Sequence, residues 1–147
     1  MALDGFWYLA VMKRFDNDVA VELDMWVWRK MVKYEMDLLS ETLQIKGNSL
    51  ATALRGLTAI PWFRNMEFEI DFLNENRAVL TVTNCTTLLA LENEGTGREG
   101  RICREVDKTL FPLYAEYFNP DIAVNDLSLP PRDNKEGFCC KWEFRID

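Results

Sequence analysis

Residues 1–63 place apolar side chains at helical spacing, and from Met66 onward the spacing falls to two. Leu3 to Phe15 is apolar with few breaks, and Asp16-Asn17-Asp18 supplies turn and N-cap chemistry for a second helix. That helix should run from Asp18 to Leu43. Leu23, Val27, Met31, Tyr34, Leu38 and Ile45 recur at helical steps along it as one buried stripe, opposite Glu22, Arg29, Lys33 and Asp37. Lys46-Gly47-Asn48-Ser49 reads as a helix stop and a new cap, and Leu50 to Ile60 as a third helix ended by Pro61. Met66, Phe68, Ile70 and Phe72 then alternate with Glu67, Glu69 and Asp71, which predicts a strand with one wet face. Asn74-Glu75-Asn76 turns the chain into a Val- and Thr-rich return strand, Arg77 to Asn84.

Beyond a cysteine-bearing link, Gly100 to Phe118 reads as a helix. Pro112 must kink or split it, because proline cannot donate to the carbonyl four residues back. Asn119-Pro120 ends the helix, Asp121 to Leu129 reads as a strand, Pro130 to Asn134 as a loop, and Gly137 to Ile146 as the last strand. In that strand Phe138, Cys140, Trp142, Phe144 and Ile146 share one face, so alternation points Cys140 inward and Cys139 outward with Lys141, Glu143 and Arg145. The expected architecture is α+β within a single domain, residues 1–147. A helical part, 1–63, packs on an antiparallel sheet of ββαββ order, 66–147, which carries the chemistry.

Composition narrows the function classes. The chain of 147 residues is 48% hydrophobic, enough to close a core without disulfide staples. A net charge of -7 argues against nucleic acid, which needs a basic face to displace counterions. The apolar runs are shorter than a bilayer span and the start lacks a cationic region ahead of an apolar one, so the expectation is a cytoplasmic protein that does not enter a membrane. There is no histidine, which removes Ser-His-Asp and Cys-His catalysis and every histidine-containing zinc site. The aromatic load of the helical part, Phe6-Trp7-Tyr8 with Trp26 and Trp28, suits a core, a homodimer seam or a ligand wall.

The remaining chemistry concentrates between Asn84 and Asp107. Helical spacing puts Cys103, Asp107, Leu110 and Tyr114 on one side, with thiol and carboxylate as neighbours. A position in the first turn of a helix, with Arg101 and Arg104 nearby, favours the Cys103 thiolate, and Asp107 opposes it. The alternative is that Cys103 is a small buried hydrophobe. Cys85, Cys103 and Cys140 would form a sulfur-rich site of the kind zinc or iron accepts, although no Cys-x-x-Cys pair supports it, and outward-facing Cys139 is the least suited to join. Glu92 to Arg98 is Gly-rich but lacks the Gly-Lys-Ser/Thr ending of a phosphate loop and carries two acids, so no nucleotide cofactor is expected. Arg98 and Arg101 are left to pair with Glu92 and Glu94 or to meet an anion.

Asn84-Cys85, Ile102-Cys103-Arg104-Glu105-Val106-Asp107, Phe118-Asn119-Pro120-Asp121-Ile122 and Cys140-Lys141-Trp142-Glu143-Phe144 together resemble the C-terminal half of L-2-amino-thiazoline-4-carboxylate hydrolase-like proteins. More remotely the pattern is similar to four-vinyl-reductase domains, which bind small molecules. The resemblance covers residues 66–147 and implies a site at Cys85, Cys103 with Asp107, and Cys140, acting on a cyclic C–N or C–S bond. The resulting expectation is a small-molecule site between sheet and helices. Cys103 would be nucleophile, Asp107 proton carrier and Arg104 anion partner, with Cys85, Arg101, Tyr114 and Trp142 as ligand contacts. The alternative is a non-catalytic small-molecule or metal sensor using the same pocket.

Overall fold

The computed structural model describes residues 2–147. Three helices open the chain: α1 (Ala2–Arg14), α2 (Asn17–Thr42) and α3 (Leu50–Ala59). The junctions follow local chemistry. Asp16 caps α2 by accepting the Val19 N–H at 2.8 Å, and Ser49 caps α3 by accepting the Thr52 N–H at 3.2 Å. Between them Gly47 takes a φ of 114°, which glycine adopts without strain.

The hairpin is β1 (Met66–Asn74) and β2 (Arg77–Cys85), and β3 (Ile122–Ser128) and β4 (Cys140–Ile146) complete an antiparallel sheet in the order β1-β2-β4-β3. The fold is therefore α+β, with the N-terminal helices packed on the sheet. Three helices, not one, cross between β2 and β3: α4 (Thr86–Glu94), α5 (Glu99–Ile102) and α6 (Lys108–Phe118). The stretch read as a link begins a helix as soon as β2 ends. The long helix expected from Gly100 is broken by a single π turn, Cys103–Asp107. That turn lies directly ahead of Lys108, whose carbonyl Pro112 cannot serve.

One core joins both parts of the chain. Ala78, Leu80 and Val82 of β2 and Trp142 and Phe144 of β4 meet Leu54 and Leu57 of α3 and Leu110, Phe111 and Tyr114 of α6. Phe111 packs on Trp142 with ring centres 4.6 Å apart, and Trp62 stacks on Phe111 at 6.1 Å. Gly56 lets α3 approach α6, since a Cβ there would run into the Phe118 ring. A smaller cluster, Tyr8, Ala20 and Val21, holds α1 on α2.

Two expectations are corrected. The stripe of α2 that faces the core is Val21, Asp24, Val32 and Met36, while Leu23, Tyr34 and Leu38 are exposed, as is Trp26. The helix carries two apolar stripes of similar spacing, and packing against α1 and α6 rather than side-chain size selects between them. Cys139 is buried, not outward. β4 starts at Cys140, so strand alternation does not reach Cys139, whose thiol turns in to donate to the Thr83 carbonyl at 3.6 Å. No helix among the described residues is long and apolar enough to cross a membrane.

Candidate functional site

A cleft of about 550 Å³ opens between α1, α2 and α4. Gly5, Tyr8 and Leu9 form one wall, Thr86, Thr87, Ala90 and Leu91 the other, and Glu94 and Arg98 flank it. Its position follows from two junctions. The β2–α4 transition is tight because Cys85 serves as the N-cap of α4, its sulfur accepting the Leu88 N–H at 3.4 Å. At the other end Gly95, with a left-handed φ of 71°, stops α4 and turns the chain into α5.

Asp4, Asp24, Thr87 and Ile102 also line a deeper pocket of about 100 Å³, bounded by Trp28, Trp62, Met66, Cys85, Cys103 and Asp107. A void of about 20 Å³ continues from there to Cys139 and Cys140. The shared walls set the three spaces side by side, from the outer cleft past two aspartates to the thiols. Cys85, at the end of β2, pairs across the sheet with Met66, and Cys140 pairs with Val82. The π turn brings Cys103 and Asp107 to the same pocket from the helical side.

The structure thus gathers Cys85, Cys103, Asp107 and Cys140 around one cavity. The other sequence candidates lie elsewhere. Arg104 is exposed and lines none of these spaces. Arg101 is held at the surface by Asp18 and Glu105. Tyr114 is core: its hydroxyl donates to Glu35 Oε2 at 2.7 Å and accepts the Trp62 indole N–H at 3.4 Å. Trp142 is core as well, its indole N–H donating to the Cys140 sulfur at 3.3 Å. Glu92 pairs with Arg132 at 2.6 Å, with both side chains covered, and Arg132 also donates to the Cys139 sulfur at 3.7 Å.

Burial decides the acid–base state of the site. Desolvation pushes the Cys103 thiol far up, and Asp107, Cys85, Cys140 and Glu99 act in the same direction. Cys140 is pushed up by burial and then by Asp107, and Cys85 is raised to about 11, mainly by burial. The arginines expected to favour a Cys103 thiolate point away, so the thiol stays protonated and a weak nucleophile near neutrality. Among the described residues no three cysteine, aspartate or glutamate side chains come together as a metal-ligand set, so the Cys85–Cys103–Cys140 grouping is a shared cavity rather than a coordination sphere.

Two carboxylates take the opposite role. Burial raises Asp107 to about 7. Asp24 is also raised to about 7, by burial first and by Asp4 second, with the Trp28 indole opposing slightly. Among the described residues Asp24 Oδ1 is buried without a hydrogen-bond partner. Asp107 is one of the sequence candidates, whereas Asp24 and Asp4 belong to no motif. Their one signal in sequence is Asp24 within the apolar series Val21, Trp28 and Val32.

The chain belongs to DUF6125, a family of unknown function whose model matches residues 1–146. Neither a curated protein nor a solved structure matches it.

Proposed function

We propose that this member of DUF6125 binds a small organic molecule in the cleft between α1, α2 and α4, and that the binding role does not depend on thiol catalysis. The observation that carries this is a cleft of about 550 Å³ that shares Asp4, Asp24, Thr87 and Ile102 with an inner pocket, where Asp24 Oδ1 is unpartnered among the described residues. That volume lies in the range of small-molecule sites, and the mixture of apolar walls with a few polar groups is what such sites use for orientation. The protonated thiols then serve as soft, apolar floor. The test is a charge-diverse fragment set screened by isothermal calorimetry against the wild type and Ala90→Trp, which fills the cleft from α4. Binding lost in Ala90→Trp supports the proposal. Equal binding by both proteins, or no binding by the wild type, defeats it.

A hydrolytic use of the same pocket is favoured by one observation: Asp107, with a pKa near 7, shares the inner cavity with Cys103 and so suits proton transfer at neutral pH. Turnover of a panel of cyclic amidines and thiazoline carboxylates that falls sharply in both Cys103→Ala and Asp107→Asn would support it. An inert wild type, or turnover unchanged in both variants, would remove it.

A further inference from the structure

We infer that the cleft receives an amphipathic organic cation, an apolar body bearing one protonated nitrogen, with that nitrogen held by the carboxylates of Asp24 and Asp4. This rests on the binding reading above and names its ligand class.

The inference starts from a buried carboxyl oxygen that lacks a partner. Asp24 is only 6% exposed, Oδ1 has no partner among the described residues, and the side chain lines both the outer cleft and the inner pocket. An unpaired buried carboxylate is costly unless a cation or donors complete it. Asp4 and Tyr8 face the cleft from α1, Trp28 faces the pocket from α2 itself, Glu94 faces the cleft from α4 and Arg98 from the α4–α5 link, and Asp107 lines the far side of the pocket.

Neither nearby guanidinium is free to neutralise Asp24. Arg98 donates to Glu94 Oε2 through Nε at 2.9 Å and Nη2 at 2.5 Å, and lies over the Tyr8 ring 5.3 Å from its centre. Arg101 is engaged by Asp18 and Glu105. Among the described residues Asp4, Asp24 and Asp107 line these spaces without a basic partner, so an anionic ligand would meet them without compensation. A bare metal ion finds no three-ligand set among the described residues.

The walls fit the rest of such a ligand. Trp28 and Trp62 border the inner pocket beside Asp24, where aromatic faces favour an ammonium or amidinium group, and Leu9, Leu91 and Ile102 line the space for an apolar body. In the empty pocket Asp24 keeps its proton up to about pH 7, with Asp4 adding repulsion to desolvation. An arriving cation supplies the missing charge and expels that proton.

The experiment is calorimetry on the full chain with three matched probes: 1-naphthylmethylamine, 1-naphthalenemethanol and 1-naphthoate. At about pH 8 the amine should bind about tenfold more tightly than the alcohol, with the acid weakest. Asp24→Asn and, separately, Asp4→Asn should lower amine affinity to that of the alcohol and leave the alcohol unchanged. Moving to about pH 6 should weaken the amine about tenfold and release a proton on binding, because Asp24 is then mostly protonated. Alcohol binding as tightly as amine overturns the cation inference and leaves the cleft reading standing. So does undiminished amine binding in both aspartate variants, with native circular dichroism. Failure of all three probes on the wild type overturns both.

Discussion

The Asp24→Asn substitution has an effect on stability whose sign depends on pH in a way that contacts alone do not suggest. In the folded protein Asp24 titrates at about 7, against an ordinary 3.8. The folded chain therefore holds a proton that the unfolded chain has lost. The stabilisation this gives is complete below about pH 4 and is lost as pH rises through 7. Each pH unit of separation corresponds to about 1.4 kcal/mol, so the whole gap sets a ceiling of roughly 4 kcal/mol, and the part falling between about pH 5 and pH 8 a ceiling of roughly 2.7. Water entering the open cleft reduces this to about 1–2 kcal/mol. Asparagine cannot ionise. Its own burial cost is the same at both pH values and cancels in the comparison. The assay is urea unfolding followed by tryptophan fluorescence at the two pH values, with the urea dependence checked to be unchanged. The variant should gain about 1–2 kcal/mol on the wild type between about pH 5 and pH 8. An identical pH dependence in both proteins, or a variant that loses ground as pH rises, would refute the buried, uncompensated state of Asp24.

Further consequences can be measured separately. Arg132→Ala leaves Glu92 covered without its partner and strips a donor from Cys139, and should cost about 1–3 kcal/mol in urea unfolding. Tyr114→Phe removes the hydroxyl that bridges Trp62 and Glu35 and should cost about 1 kcal/mol by the same assay, with a loss near zero counting against that bridge. Cys103 and Cys140 should resist iodoacetamide in the native state at neutral pH and react once the chain is unfolded in urea. Rapid native labelling of Cys103, read by mass spectrometry, would contradict the protonated, buried thiol.

What was legible in the sequence was the short-range chemistry. Asp16 and Ser49 cap helices because their side chains reach N–H groups only three residues ahead, and the hairpin follows from alternation over Met66 to Asn84. The elements less faithfully read depend on distant partners. Nothing local distinguishes the buried stripe of α2 from the exposed one through Leu23 and Leu38, because packing on α1 and α6 makes the choice. Pro112 announced a disturbed helix but not its form, a π turn placed upstream at Cys103–Asp107. Alternation misplaces Cys139 because the strand expected from Gly137 begins only at Cys140. The thiol cluster and Asp107 were found by residue type, whereas Asp24 and Asp4 gain meaning only when α1 and α2 fold against α4.

The five tryptophans offer the most direct test of the cleft itself, because Trp28 and Trp62 border the inner pocket, Trp7 and Trp26 are outside it, and Trp142 is sealed in the core. Their indole N–H resonances can be followed in a two-dimensional ¹H–¹⁵N spectrum, assigned by single Trp→Phe variants, while 1-naphthylmethylamine is added. The resonances of Trp28 and Trp62 should shift and saturate together, with the other three unmoved. Shifts confined to Trp7 and Trp26, with Trp28 and Trp62 unchanged, would contradict binding in the cleft.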